Sequence, residues 1–212
     1  MIFSEFITKL DKRLQSPLPG EKAQLLMGSD IRMNDFVFKQ IDDTSKKSGV
    51  MILLYPNQKC IYSVFIKRTE YNGTHSGQIA LPGGKFEVCD ENLVNTALRE
   101  TSEEIGIDSS KIQILGQLTK LFIPPSNYIV YPSVGYITSK PCFIPEKTEV
   151  EKIIEYDISY LLKKEIIKIK EFKIKTGFTF NAPYFDIHGQ VVWGATAMII
   201  SEFVEILKEI SK

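Results

Sequence analysis

The stretch that decides the fold is GGKFEVCD at residues 83–90, followed after seven residues by LRETSEEIGI at residues 98–107. A glycine pair leads into a short helix whose end carries three carboxylates within five positions, Glu100, Glu103 and Glu104. Carboxylates this close repel one another. A cation between them would relieve the repulsion, and hard divalent ions such as Mg2+ take oxygen ligands. The stretch therefore predicts a divalent metal site or, in the plainer interpretation, a solvated acidic helix end.

Helix geometry brings these carboxylates together. Glu100 and Glu104 are four residues apart and share one face, and Glu103 flanks that face. Arg99 is four residues before Glu103, so it can hold that carboxylate in one rotamer. The preceding glycines permit backbone conformations closed to other residues, which would let a main-chain carbonyl approach the same ion. An acidic cluster is also unfavourable at a helix C-terminus, where the helix dipole favours cations, and this favours the metal interpretation.

Length and composition indicate an ordinary globular protein. The chain has 212 residues, of which 43% are hydrophobic and 25% charged, so one domain with a sizeable core is expected. Lys+Arg and Asp+Glu both number 26, and a chain without net charge lacks the basic footprint of bulk nucleic-acid binding. Three widely spaced cysteines predict free thiols in a reducing compartment. The N-terminus does not resemble a signal peptide and no window has the length of a membrane span, so we expect a soluble cytoplasmic protein.

The first 30 residues are expected to form a helical extension. Apolar residues fall at helical spacing from Phe3 to Leu14, and Pro17 ends that helix. A weaker helical turn is predicted at Glu21–Met27. The extension is expected to pack across the main domain.

The middle of the chain alternates strands with a helix. Strands are predicted at Val50–Tyr55, Cys60–Ile66, Ile112–Leu118 and Tyr128–Tyr136. A helix is predicted at Leu93–Ile105, ended by a glycine in the way common at helix C-termini. Interspersed strands and helices predict the α/β class, with one mixed sheet between helices.

The last third is less regular. Residues 153–162 are predicted to be partly helical, and a final helix is predicted to end near Ile210. Apolar residues alternate with lysines over residues 167–174, but the phase of the alternation slips at 170–171, and a bulge or a bend there would restore the phase. This basic hairpin is interpreted as a lysine-protected edge strand or as a polyanion contact.

The acidic stretch now matches a family pattern. From Gly84 to Ile107 it resembles the Nudix box, which is a glycine, a spaced acid, Arg-Glu, an apolar position, any residue, Glu-Glu, any residue, a glycine and an apolar residue. Three features differ from the usual box. Asp90 replaces Glu, eight residues rather than seven separate Asp90 from Arg99, and Thr101 takes the apolar position. The extra residue and the shorter acid are typical of the Nudix branch that resembles coenzyme A pyrophosphatases.

A second signature of that branch resembles residues 68–84, RTEYNGTHSGQIALPGG. The leading Arg68, the Gly-Gln-Ile and the Pro-Gly-Gly are in register, whereas Gly73 replaces a usual basic residue and Leu81 a usual Phe. Further matches are residues 131–135 and 192–197. The resemblance covers roughly residues 20 to 205. It implies one Nudix domain over residues 1–212, with 1–30 as the helical extension, folded as an α/β/α sandwich with a mixed sheet and a loop-helix-loop catalytic motif.

The resemblance implies metal-dependent hydrolysis of the pyrophosphate bond of coenzyme A or its thioesters, giving 4′-phosphopantetheine and adenosine 3′,5′-bisphosphate. Mg2+ or Mn2+ held by Glu100, Glu103, Glu104 and the Gly84 backbone would screen the dense charge of the diphosphate. Glu100, Glu103 and Arg99 are the expected catalytic residues. Glu100 or Glu103 could accept the proton of the attacking water.

Other residues are candidates on the same resemblance. Arg68, His75 and Gly83 are expected to bind substrate, although His75 could equally be a structural loop residue. Glu149 and Glu151 are candidates for a remote base or ligand, or are simply solvated loop charges.

Two other functions stay open. The chain could hydrolyse another nucleoside diphosphate derivative such as ADP-ribose or NADH, or it could be a non-catalytic nucleotide-binding domain. The intact carboxylates and Arg99 favour an enzyme, because a binding module has no need of a crowded metal cluster. The expected partner is a small nucleotide-type substrate, with neither nucleic acid nor membrane, and a homodimer is possible.

Overall fold

The computed structural model of the chain describes residues 2–30, 42, 44–70, 76–173 and 177–211. Its main sheet is built around strand β1, Lys46–Asn57. β1 turns directly into the antiparallel strand β2, Cys60–Arg68, and runs parallel to β7, Tyr128–Tyr136, along nine paired positions. The short strand β4, Gly83–Lys85, pairs antiparallel with the first half of β1. One parallel pair among antiparallel ones makes the sheet mixed, as the sequence predicted.

Within the described residues, the remaining elements complete two sheets and four α-helices. β3 (Ile79–Ala80) and β8 (Val150–Asp157) pair with β2, and β5 (Gln113–Gln117) and β6 (Leu121–Ile123) pair with β7. A second sheet has the order β11-β10-β9, from β9 (Ile167–Lys173), β10 (Thr179–Ile187) and β11 (Gln190–Trp193). The helices are α1 (Phe3–Leu14), α2 (Gly20–Leu25), α3 (Leu93–Ile105) and α4 (Gly194–Ile210).

Both faces of β1 are buried, which explains its continuous apolar run. Side chains 51, 53 and 55 pack in one cluster with Ala97 and Ile105 of α3. Side chains 52 and 54 pack in the other cluster with α1 and with Phe203 of α4. Helices therefore cover both faces of the sheet, which is the predicted α/β/α arrangement.

A glycine lets α3 approach β1 closely enough to bring the acidic helix against the sheet. A Cβ added to Gly49 would lie 2.4 Å from the carbonyl oxygen of Leu93 and 2.9 Å from the amide nitrogen of Ala97. Any larger residue would push the helix away, because both neighbours are backbone atoms. Gly49 therefore sets the distance between α3 and the strand.

The N-terminal extension is joined to α4 through a buried carboxylate. Glu202 is fully buried and accepts hydrogen bonds from the Gly20 amide at 3.1 Å and from Gln24 Nε2 at 2.9 Å. The amide and hydroxyl of Thr119 also donate to it, the hydroxyl at 2.7 Å. A buried carboxylate is tolerated when its oxygens are satisfied in this way.

Most of the predicted elements are confirmed. The helix at Leu93–Ile105 and the strand at Tyr128–Tyr136 have the predicted bounds, and Gly106 ends the helix with φ +69°. The predicted N-terminal and final helices are confirmed as well. The predicted turn at 21–27 is the short helix α2.

In the last third, the partly helical prediction for 153–162 is confirmed for its second half, and the predicted bulge is wrong. Residues 153–157 belong to strand β8, and only 158–162 form a 3-10 helix. β9 pairs with β10 without a register shift, so there is no bulge at 170–171. Its side chains are exposed except for the half-buried Phe172, so no buried face imposes a phase on the alternation. β9 does lie at the edge of the second sheet, as the lysines suggested.

All three cysteines are free and exposed. Within the described residues, no helix is long and apolar enough to cross a membrane.

Candidate active site

The centre of the site is Arg99, which is fixed by a buried carboxylate. Asp90 is 4% exposed and receives two hydrogen bonds from Arg99, from Nε at 2.7 Å and from Nη2 at 3.1 Å. The hydroxyl of Thr96 donates to the same carboxylate at 2.9 Å. The hydrogen bonds from Arg99 hold the pKa of Asp90 well below its usual range, so Asp90 stays ionised. The shortened acid of the motif thus orients the arginine.

Arg99 also joins the start of the motif to its acidic end. Its Nη1 lies 3.0 Å from Oε1 of Glu100 and donates to Oε2 of Glu103, also at 3.0 Å. Its Nη2 donates to the carbonyl of Lys85 at 3.0 Å. The predicted contact with Glu103 is confirmed. The contacts with Asp90, Glu100 and Lys85 were not predicted, because they depend on how the 83–90 loop folds onto α3.

Glu104 is the most deeply buried acid of the motif, at 1% exposure. Its Oε2 accepts a hydrogen bond from the amide of Gly83 at 2.8 Å, and its Oε1 lies 3.5 Å from Nη2 of Arg68. Burial raises the pKa of Glu104 to about 7, and the nearby Glu100 and Glu149 also raise it, whereas Arg68 and Gly83 oppose the shift. A further positive charge beside Glu104 would therefore favour its ionised form.

Glu100 lies against the glycine pair. A Cβ added to Gly84 would sit 2.3 to 2.4 Å from the carboxylate carbon and oxygens of Glu100. Burial raises the pKa of Glu100, and Arg99 acts in the opposite direction. The glycine therefore leaves the space that the carboxylate needs beside the backbone.

Glu103 is the most exposed of the three glutamates. Its side chain is 59% exposed and lines an open depression of about 390 Å³ together with Arg99 and Ser102. Within the part of the chain that the structure describes, no three acidic, histidine or cysteine side chains form a compact metal-binding group. The structure brings Glu100 and Glu104 to the glycine turn, and connects Glu103 to Glu100 through Arg99.

The arrangement at the glycine turn fits a divalent cation. Two carboxylates with raised pKa values adjoin the glycine pair, Glu100 at Gly84 and Glu104 at the amide of Gly83. Oxygen donors of this kind suit Mg2+ or Mn2+. A bound cation would supply charge stabilisation for a reacting phosphate.

The other candidate residues have distinct positions. Glu149 is near enough to raise the pKa values of both Glu100 and Glu104, whereas Glu151 forms an ion pair with Lys67 at 2.6 Å. The amide of Gly83 is engaged by Glu104, and its carbonyl accepts a hydrogen bond from Arg68 at 3.2 Å. His75 lies outside the described residues.

Comparison with known proteins shows to which family the chain belongs. Residues 45–159, more than half of the chain, match the family model described as the NUDIX domain. This chain belongs to the Nudix family. It is a Nudix hydrolase, a class of enzyme that acts on pyrophosphate bonds.

Similar Nudix proteins come from bacteria, plants and animals. The chain is 28% identical to the Nudix hydrolase NudL of Photorhabdus laumondii, over 79% of this chain and 88% of the relative. It is 32% identical to Nudix hydrolase 15, mitochondrial, of Arabidopsis thaliana, over 77% of this chain and 59% of the relative. It is 29% identical to the human mitochondrial coenzyme A diphosphatase NUDT8, over 75% of this chain and 64% of that protein. The chain thus spans less than two thirds of the last two relatives.

Solved structures agree on the fold. A Nudix hydrolase from Alicyclobacillus acidocaldarius aligns with a TM-score of 0.52 at 12% identity, over 83% of this chain and 98% of that one. The NUDIX domain of Shewanella oneidensis NrtR, solved with ADP ribose, aligns with a TM-score of 0.51 at 12% identity, over 85% and 98%. The Nudix α/β fold is therefore shared, although the sequences have diverged widely.

Proposed function

We propose that this Nudix hydrolase cleaves the pyrophosphate bond of coenzyme A or its thioesters. The products would be 4′-phosphopantetheine, or its acyl form, and adenosine 3′,5′-bisphosphate. The observation that carries the substrate class is the signature at residues 68–84, which resembles the coenzyme A branch. The 29% identity to a protein named a coenzyme A diphosphatase supports the same choice.

The chemistry follows from the charges at the glycine turn. A diphosphate repels an incoming nucleophile, so the site needs positive charge where negative charge develops. In this proposal Mg2+ or Mn2+ is held by Glu100, Glu103 and Glu104 with the backbone of Gly84. Arg99 keeps Glu100 and Glu103 in place, because it is itself held by a buried carboxylate.

A carboxylate would accept the proton of the attacking water. Glu100 and Glu103 are the candidates within the motif. Glu149 is the better of the two remote candidates, because it interacts electrostatically with Glu100 and Glu104, whereas Glu151 is engaged by Lys67. A reducing compartment such as the cytoplasm is also proposed, supported by the three free thiols.

Product analysis tests the proposal. The protein is incubated with coenzyme A, acetyl-coenzyme A, ADP-ribose, NADH and dNTPs, with and without Mn2+, and the products are identified by mass. The expected result is metal-dependent release of adenosine 3′,5′-bisphosphate from coenzyme A. Faster turnover of ADP-ribose than of coenzyme A would contradict the substrate assignment but keep the hydrolase.

The variant Glu104→Gln keeps the size of the side chain and removes its charge. It is expected to lower the rate by about 10²-fold or more, in line with single-group losses in electrostatic catalysis. Lys67→Met, which removes a cation that pairs with the exposed carboxylate of Glu151, is the matched control and is expected to be near normal. Normal turnover by Glu104→Gln would contradict its role at the metal.

A further inference from the structure

The guanidinium of Arg68 belongs to a closed set of contacts with Gly83 and Glu104. Its Nη2 donates to the carbonyl of Gly83 at 3.2 Å and lies 3.5 Å from Oε1 of Glu104. The amide of Gly83 donates to the other oxygen of Glu104 at 2.8 Å. Each of the three groups therefore contacts the other two.

An irregularity between two strands accompanies the position of Arg68. Arg68 is the last residue of β2, and the pairing of β2 with β8 shifts between Lys67 and Arg68. Lys67 lies opposite Lys152 and Arg68 opposite Val150, so Glu151 is the extra residue of a bulge. Bulges commonly re-aim side chains next to active sites.

The backbone around Arg68 is held on both sides. Its amide donates to the carbonyl of Gln78 at 3.0 Å, and the amide of Thr69 donates to the carbonyl of Glu149 at 3.0 Å. The neighbouring Lys67 takes Glu151 as its partner at 2.6 Å. The two consecutive cations thus pair with different acids, Lys67 with the exposed Glu151 and Arg68 with the buried Glu104.

The burial of Glu104 explains why a cation is needed there. The Glu104 side chain is 2% exposed, whereas that of Arg68 is 29% exposed. A buried carboxylate that loses its charged partner is strongly destabilising. One guanidinium nitrogen also carries two hydrogens, so Nη2 can serve a carbonyl and a carboxylate together.

We propose that Arg68 is a positioning residue, which fixes the carboxylate of Glu104 against the Gly83 turn and acts on the reaction through Glu104. This differs from the substrate contact expected from the sequence, because Nη2 of Arg68 is engaged by Gly83 and Glu104 of the protein itself. The inference rests on the proposed function only in assigning Glu104 to the reaction.

A double-mutant cycle on metal-free protein tests the coupling without any activity measurement. Urea unfolding is measured at pH 8, where ionised Glu104 is favoured, for wild type, Arg68→Met, Glu104→Gln and the double variant. Arg68→Met is expected to lower the folding equilibrium constant at least tenfold in the wild-type background and less than threefold when Glu104 is already Gln. Lys67→Met is the control, with less than a threefold change in both backgrounds. Equal losses from Arg68→Met in both backgrounds would overturn the proposal.

Steady-state kinetics with the substrate that the wild type turns over best provide the second readout. Arg68→Met is expected to lower kcat at least tenfold with KM within threefold, and to add less than threefold to the loss caused by Glu104→Gln. Arg68→Lys, which keeps the charge, is expected to recover part of kcat. A KM raised tenfold or more with kcat retained would instead identify Arg68 as a phosphate ligand and overturn the proposal. Failure of the wild type to cleave coenzyme A would contradict the proposed function alone, because the unfolding cycle still decides the coupling.

Discussion

The contact between Gly84 and Glu100 predicts that one added methyl group will lower the activity far more than the stability. In Gly84→Ala the new Cβ would start 2.3 Å from the carboxylate carbon of Glu100. Ordinary contacts between non-bonded atoms begin near 3.5 Å, so the carboxylate must retreat by about 1 Å. The carboxylate is the far end of a flexible side chain, so rotation of Glu100 relieves the clash without moving the backbone. We therefore expect the free energy of unfolding to fall by only about 1 kcal/mol.

The expected loss of activity is much larger. A displacement of about 1 Å in a catalytic group can cost about 10²-fold in rate, and Glu100 would also lose its 3.0 Å contact with Arg99. The assay is kcat/KM for coenzyme A with saturating Mn2+, run beside urea unfolding of the same samples. Gly116→Ala is the control, because among the described residues its Cβ would meet only the Leu14 side chain, at 3.4 Å or more, and it should leave turnover unchanged. Near-normal turnover by Gly84→Ala would refute the reasoning, and so would a loss of several kcal/mol in stability, since the backbone would then have moved.

Three further predictions concern stability. The pKa of Glu104 is raised from 4.5 to about 7 in the folded protein, so its contribution to stability is fully present below pH 4.5 and lost as the pH rises through 7. Between pH 4.5 and 8, the free energy of unfolding of the metal-free wild type, measured with urea, should therefore fall by of order 3 kcal/mol relative to that of Glu104→Gln. A difference between the two proteins that does not change with pH would contradict the raised pKa. Glu202→Gln places an amide group among donors that include Thr119, and should lower the free energy of unfolding by about 2 kcal/mol in urea titration. An unchanged free energy of unfolding would show that the hydrogen bonds to Glu202 contribute nothing. Gly106→Ala combines φ +69° with a Cβ 2.5 Å from the carbonyl of Ile144, so it should lower the melting temperature by several degrees, and a melting curve that overlays the wild type would rule this out.

Local signals were sufficient for the elements that carry the motif. α3 was predicted with its bounds because its apolar spacing is regular and Gly106 ends it. In the structure Asn92 caps its start, with a side chain that accepts a hydrogen bond from the Asn95 amide at 2.9 Å. β1 was recognisable from its apolar run because both of its faces are covered. These features depend on neighbours in the sequence.

The failures involve partners that are distant in the sequence. Ile154, Ile158 and Leu161 have helical spacing, yet pairing of residues 150–157 with β2 makes the first part a strand. The predicted bulge in β9 assumed a buried face, and that strand has none. Tertiary pairing decides such segments, whatever their local pattern.

The candidate site was likewise predicted where its residues are close in sequence and missed where they are distant. The spacing of Glu100, Glu103 and Arg99 predicted one ion pair, which is confirmed. It could not reveal that Arg68, more than 30 positions upstream, meets Glu104, because that contact forms only when the end of β2 reaches α3. Nothing in the sequence marks Glu202 as buried either, because its donors lie in two distant segments, α2 and the loop at Thr119.

The position of α4 has a consequence for synthesis of the protein. Residues 194–210 are translated after every strand, and they lie outside the segment 45–159 that matches the family model. Yet Phe203 and its neighbours on α4 cover one face of the main sheet, and Glu202 provides the acceptor for Thr119. A ribosome stalled before residue 194 would therefore hold a nascent chain with an uncovered apolar sheet face, a surface prone to aggregation and to capture by chaperones. The core of the enzyme closes only when its last helix has emerged.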